Sequence, residues 1–598
     1  MKQKVLIAGA SGFWGDSSVA VPQLLAVPGL DYIVFDYLAE LTMSILAAAR
    51  AKKPELGYAT DFVEIVARQN LKACRERGIK LVANAGGVNP QACADALRKL
   101  AAELGIDVKI GVVDGDDVTS LIPKLRDAGT KDFYTGAPMP AKLASANAYL
   151  GAIPIARALD RGVDVVITGR VVDSAVTLGA LMHEFGWKAD ELDRLAYLDR
   201  LAMGSLAGHL IECGAQATGG LYTDWDAVPD WANIGYPVIE CAPDGGFTVT
   251  KPANTGGVVC VPAVVEQMLY EIGDPANYVL PDVVCDFTQV TMTQDGPDRV
   301  KVAGARGKAP TDTYKVSATY VDGFRCTGTL TITGFDAAAK ARRSGEAILE
   351  RTRAIFAKLG LGDYSGADLS VMGEAAVFGP HARKHDLQEA VLRLAVSHPQ
   401  KAALEIFSKE IAPAGTSWSP GTTGSLNAGR PNVAPQVKQF AFLVRKTEVA
   451  ARASVDGAAE AVAIPAGSPA PLVPGADAPS AMPAGDDLVE VPLVRLAHGR
   501  SGDKGDTSNV GLVARRPEFL PWIHAQATAP AVKAYLSHLV KGDAKRFALP
   551  GTGAVNLVLD RALGGGGMAS LRTDPLGKGM AQVVLSMPVQ VPKRLLAP

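Results

Sequence analysis

The sequence predicts an α/β fold: a mostly parallel sheet with helices on both faces, carrying a β-rich insertion and followed by a small C-terminal α+β domain. Three observations predict it. Through the first ~200 residues, short β-type apolar runs alternate with longer segments of helical period, the pattern of a sheet with crossover helices. From about 218 to 335 the texture changes to short β-type runs broken by Gly, Pro and Asp. Residues 453–488, including Ala463 to Gly475, are Ala/Pro/Gly-rich text that cannot build a core and reads as an extended linker. The expected domains are therefore 1–452 and 489–598.

The expected strands of the first domain are Val5 to Ala8, Tyr32 to Phe35, Lys80 to Ala83, Val108 to Val113 and Val163 to Thr168, short runs rich in β-branched and aromatic residues. Between them, Leu38 to Ala51, Phe62 to Arg77, Gln91 to Leu104 and Lys142 to Asp160 have helical composition and periodicity. The insertion contributes Phe247 to Thr250, Tyr314 to Val321 and Thr329 to Thr333 as strands. Helices are expected again at Ala337 to Leu359 and Leu387 to Val396. In the second domain Val491 to Leu496, Asn509 to Ala514 and Ala581 to Leu585 read as β, and Pro517 to Leu539 as helical.

A chain of 598 residues exceeds one hydrophobic core, which agrees with more than one domain. With 60 basic and 62 acidic residues the net charge is -2, so neither nucleic acid nor an anionic membrane is an expected partner. The seven cysteines are dispersed without a Cys-x-x-Cys pair and read as reduced thiols of a cytoplasmic protein. No stretch is long and apolar enough to span a bilayer.

Each expected strand ends in a polar, glycine-containing loop, and in a parallel sheet such loops converge on one edge. The first, Gly9 to Asp16, looks like a dinucleotide fingerprint, and Asp36 ends the second strand where a ribose-binding carboxylate often stands. Asp16 argues against a pyrophosphate, because a carboxylate at the helix start would fill the anion site itself. Gly12, Gly15 and Asp16 are instead expected to bind substrate. In the Asn84 to Pro90 loop, Asn84 is a candidate contact, the Gly86 and Gly87 amides are candidate oxyanion donors, and Asn89 can cap the next helix. Arg170 can fix a carboxylate or phosphate, and Asp173 can be a base or a cap.

If 205–213 is helical, His209 lies near both Glu212 and Cys213, a spacing suited to a His held by Glu as general base. The spacing falls short of a zinc pattern, so no metal is expected. In the second domain the segment from Leu496 to Gly511 holds Arg500, Asp503 and Lys504 among glycines, suited to a substrate contact or a domain interface.

Taken together, Gly12 to Asp16, Phe35 to Glu40, Asn84 to Pro90, Thr168 to Arg170 with Asp173, and Gly208 to Gln216 resemble the acyclic terpene utilisation protein AtuA family. His498 to Gly511 is similar to that family's C-terminal domain, described as ferredoxin-like. One departure is Ser17, where the family's turn would read Gly-Asp-Arg. The resemblance implies a ferredoxin-like second domain and a role in catabolism of branched terpenoids such as citronellol and geraniol, whose intermediates are acyl-CoA thioesters.

The first functional expectation is an enzyme acting on a branched carboxylic acid or its acyl-CoA thioester by hydratase/lyase acid-base chemistry, without a cofactor. His209, Glu212 and Asp173 are its acid/base candidates. Alternatives are an NAD(P)-dependent oxidoreductase using the N-terminal turn and a non-catalytic assembly partner. A homo-oligomer is the expected form of self-association.

Overall fold

The computed structural model describes residues 2–188, 193–383, 385–426 and 429–596. Its centre is β1 (Val5–Gly9), β2 (Tyr32–Phe35), β3 (Lys80–Ala83), β4 (Ile110–Asp114) and, beyond the short β5 (Ser145–Ala148), β6 (Val165–Thr168). The parallel core runs in the order β1-β2-β3-β6-β4. Alternate residues face opposite sides. Val5, Ile7, Val34, Val82 and Val166 enter one core with the helices Ile153–Asp160, Ala175–Phe185 and Arg194–Ile211. Leu6, Ala8, Ile33, Leu81 and Val165 enter the other with Glu40–Lys52 and Pro90–Glu103.

The sheet as a whole is mixed, which corrects the expectation of a mostly parallel one. β7 (Val238–Cys241) lies antiparallel to β1, and β8 (Phe247–Thr250), Val300–Ala303 and Thr291–Gln294 extend that edge. Arg452–Val455 and Ala458–Ala461 extend the other edge beyond β4. Short connections account for the outer hairpins, β7 with β8, Thr291–Gln294 with Val300–Ala303 and Arg452–Val455 with Ala458–Ala461, which can pair only antiparallel, whereas β7 and Arg452–Val455 reach the parallel core from distant parts of the chain and run against it. The linker expected from 453 therefore begins beyond this hairpin.

Four further elements differ from the sequence reading. Val491 to Leu496 is not one strand, since the strand is Leu488–Pro492 and Leu493–Arg495 is a 3-10 turn. Lys142 to Asp160 yields β5 before its helix, because Ser145–Ala148 pairs with Val316 to Thr319. Leu387 to Val396 is not helical: Glu389–His398 is a strand between Gly366–Met372 and the long strand Thr313–Thr333. Ala581 to Leu585 lies in the helix Met580–Leu585. In each case cross-strand or core partners override weak local preference. The two expected runs at 314–333 are parts of that one 21-residue strand, which pairs with Val433–Arg445.

The C-terminal domain has a four-stranded antiparallel sheet with Leu520–Gln526, Ala529–Tyr535 and Met580–Leu585 as helices. The polar text from 496 onward is a hairpin, Ala497–Lys504 with Thr507–Ala514, and Gly505 at its turn takes a φ of 65°. This hairpin docks on the first domain. Asn509 accepts from the Glu271 amide at 3.0 Å and donates to the Leu269 carbonyl at 2.6 Å. Gly502 leaves no room for a side chain, since a Cβ there would stand 2.6 Å from Glu271 Cγ. Among the described residues no helix is long and apolar enough to cross a membrane.

Candidate active site

At the carboxyl edge of the parallel strands, the glycine turn closes on itself. Asp16 Oδ2 accepts from the Gly12 amide at 2.9 Å, and its Oδ1 accepts from the Ser17 amide at 2.7 Å and the Tyr236 hydroxyl at 2.9 Å. A Cβ on Gly12 would lie 2.8 Å from the backbone of Cys213 and Gly214. The place of a pyrophosphate is thus filled by a carboxylate and by chain. Gly15, at φ 99°, serves the turn. Asp36 is buried and accepts from Asn84 Nδ2, and burial with the charges of Asp173 and Glu212 holds its pKa well above the carboxylate range. Neither the turn nor Asp36 fits a dinucleotide. Gly12→Ala is expected to destabilise the fold by about 1–3 kcal/mol through overpacking, read from thermal or urea unfolding.

The Asn84 loop is spent on structure. Asn84 Oδ1 accepts from the Tyr37 amide at 2.7 Å, fixing the Asp36 loop. The Gly86 amide donates to the Thr168 carbonyl at 3.0 Å and the Gly87 amide to the Asn84 carbonyl at 3.3 Å, so neither is free for an oxyanion. Asn89 does not cap its helix but donates to the Pro54 and Leu56 carbonyls at 2.9 and 2.8 Å.

Arg170 follows β6 and is 3% exposed. Its amide donates to Asp116 at 3.0 Å, Nη1 donates to Asp173 at 2.8 Å, and its guanidinium lies 4.1 Å from the Tyr149 ring centroid. Nε is buried without a partner. Burial pushes the Asp116 carboxyl up to about 6, and Asn147 braces it at 2.7 Å. Asp173 makes no cap to the helix after Ser174. Tyr149 in turn donates to Glu40 at 2.6 Å, with Lys315 Nζ 5.1 Å from its ring.

His209 sits in the last turn of Arg194–Ile211, with Nδ1 2.9 Å from Glu212 Oε1 and Nε2 3.1 Å from the Met268 carbonyl. The Met268 carbonyl can only accept, so Nε2 carries a proton, while Nδ1 is engaged by Glu212. Burial alone would lower the His209 pKa, but Glu212 and the carbonyl raise it. With both nitrogens engaged, the buried ring positions Glu212 rather than standing as an open base. Burial raises the Glu212 pKa against the pull of His209, and Oε2 is left without a partner. Burial also pushes the Cys213 thiol up, away from a reactive thiolate.

The C-terminal hairpin completes the site. Lys504 Nζ lies 2.9 Å from Glu271, and Lys578 Nζ lies 3.2 Å from Glu271 and 3.3 Å from Asp503. Burial opposes the charge on Lys504, but Glu271, Asp173, Tyr278 and Glu40 raise its pKa well above the usual range. Against burial, the lysines hold Glu271 at about 2, and Lys315, Arg170 and Lys504 hold Glu40 at about 2. Asp503 is pushed up to about 7 by burial and by Glu271. Yet Lys504, Asp503 and Glu271 keep 42, 19 and 22% of their side-chain surface open, so they line a wet cleft. Glu271 takes a φ of 58°, a strained backbone that the Asn509 clamp supports.

Arg500, expected to bind substrate, is turned into the interface. It donates to Gln216, to the Gly220 carbonyl at 3.1 Å and to Glu266 at 3.1 Å, where both side chains are almost wholly buried. Of the two uses expected for this segment, substrate contact or domain interface, Arg500 serves the interface.

The structure brings Asp173, Arg170, Glu212, Asp503 and Lys504 together and leaves Gly86, Gly87, Gly15 and Arg500 to structural contacts. Sequence reasoning missed Glu40, Tyr149, Glu271, Lys315 and Lys578. Glu40 opens the helix that follows β2 and carried a signal of position. Lys315, on a β-strand, and Lys578, some 300 residues from Glu271, carried none. Among the described residues no three His, Cys, Asp or Glu side chains are grouped to hold a metal ion.

Comparison with curated proteins and with solved structures returns no match. Two family models match. Residues 491–590 match the AtuA ferredoxin-like domain, which agrees with the antiparallel sheet and helices of the second domain. Residues 5–455 match the acyclic terpene utilisation family protein AtuA, and this span holds the parallel core, Arg170, Asp173, His209 and Glu212. The chain belongs to the acyclic terpene utilisation AtuA family.

Proposed function

We propose that the protein is an enzyme acting on a branched acyclic, terpenoid-type carboxylic acid or its acyl-CoA thioester by hydratase/lyase-type proton transfer. The observation that carries this reading is the wet cleft between the two domains, where Asp503 pairs with Lys578 and shares the field of Lys504 with the buried Glu212 carboxyl. Hydration of a conjugated double bond needs a base to take a proton from water as its oxygen bonds to the β-carbon. It also needs a cation beside the enolate oxygen and an acid to return a proton to the α-carbon. Asp503 suits the proton transfers, because a group titrating near neutrality both accepts and donates at working pH. Lys504 supplies the cation. Glu212, fixed by His209, and Asp173, fixed by Arg170, are the other carboxyls available.

Unsaturated branched acyl-CoAs and their free acids, incubated with the full chain and followed by mass, are expected to gain or lose one water. No turnover with any of them would remove the reaction class. The rate profile of the wild type is expected to show a limb near pH 7 from Asp503, absent in Asp503→Asn.

A further inference from the structure

The rim of the cleft carries two aromatic rings that the proton transfers do not use. Phe133 and Tyr134 meet edge to face at a centroid distance of 5.2 Å and are 60 and 41% exposed. The loop that presents them is tightly braced. Lys131 and Pro138 form an isolated antiparallel bridge. Asp132 Oδ1 accepts from the Tyr134 and Thr135 amides at 3.1 and 2.8 Å and from the Thr135 hydroxyl at 2.8 Å, while Oδ2 accepts from the Ala441 amide at 2.8 Å. The Phe133 amide donates to the Ala441 carbonyl at 2.6 Å. Rings held open to water by such a frame are preorganised, so little ordering remains to be done when something covers them.

Their position says what covers them. The Tyr134 ring centroid lies 5.7 Å from Lys315 Nζ, and the ring comes within 3.6 Å of where a Cβ on Gly505 would stand, next to Lys504 at the hairpin turn. An aromatic edge beside two lysines suits a ligand that is anionic or oxyanionic at one end and apolar at the other. We infer that Phe133 and Tyr134 hold the apolar chain of an acyl substrate whose carboxyl or thioester end lies by Lys315 and Lys504, and that they set the preference for chain length. The inference rests on the proposed function only in placing that end in the cleft.

The test is calorimetric binding of butanoyl-CoA and decanoyl-CoA to the full chain. Phe133→Ala is expected to weaken decanoyl-CoA about tenfold while leaving butanoyl-CoA within about twofold, and Phe133→Leu, which keeps an apolar side chain, to retain most of the preference. An equal loss with both probes, as stacking of the adenine ring on Phe133 would give, overturns the inference. So does an unchanged preference in Phe133→Ala; if Lys504→Met still weakens binding of both probes, the cleft reading stands alone. Binding of neither probe in a Lys504-dependent way overturns both.

Discussion

Arg500→Ala is expected to destabilise the protein by about 3–5 kcal/mol, because it leaves the Glu266 carboxylate buried without its partner. Glu266 has no exposed side-chain surface, and its hydrogen bonds come from Arg500 and the Thr223 amide. The loss falls on domain docking, since the same guanidinium also ties the hairpin to Gln216 and the Gly220 carbonyl. Urea unfolding of wild type, Arg500→Ala, Glu266→Ala and Arg500→Leu/Glu266→Leu separates the contributions. The apolar double variant is expected to be more stable than either alanine variant, as replacing both partners removes the stranded charge. Alanine variants with unfolding midpoints equal to wild type would show that the buried pair does not hold the interface.

Asp503→Asn and Lys504→Met are each expected to lower kcat by about 10²–10⁴, the usual yield of a positioned acid/base group or oxyanion partner. The two should differ in form. Asp503→Asn keeps size and polarity but cannot move a proton, so kcat falls and the pH limb disappears. Lys504→Met removes the cation and leaves Glu271 to Lys578 alone, so KM rises as well. His209→Gln, by contrast, acts through Glu212: its expected signature is a displaced pH profile with a smaller loss of rate. Equal and total loss in His209→Gln and Asp503→Asn at every pH would reverse the assignment of direct and positioning roles.

Stability should also track these groups. Glu40 and Glu271 titrate at about 2 in the fold, below their unfolded values of about 4.3. Their contribution is present above the unfolded pKa and is lost as pH falls from there through 2. Asp503, raised to about 7, behaves oppositely: its contribution is complete below about 3.9 and is lost as pH rises through 7. Thermal unfolding across pH checks both signs, with Asp503→Asn removing the upper effect.

The parallel core was legible because β1, β2 and β3 are dense apolar runs separated by helix-period segments, and nothing else buries such runs as well. Glu389–His398 was not legible, since its Leu and Ala residues serve helix and strand alike and only its neighbours decide. In the site, Arg170 and Asp173 were legible as an isolated cation and acid at a strand end. The role of His209 was not, because spacing along a helix shows that it reaches Glu212 but not that the Met268 carbonyl closes its other nitrogen.

The alternating strands and helices of the first domain, the polar loops at one edge of its sheet and the family are written along the chain, since these depend on local order and on contiguous motifs. That the glycine turn is filled by Asp16 and Cys213–Gly214, that Arg500 is an interface residue, and that Lys504 and Asp503 enter the first domain's cleft emerges in the folded chain alone. Those outcomes depend on burial and on charges meeting across hundreds of residues, and both are set by packing rather than by spacing along the chain.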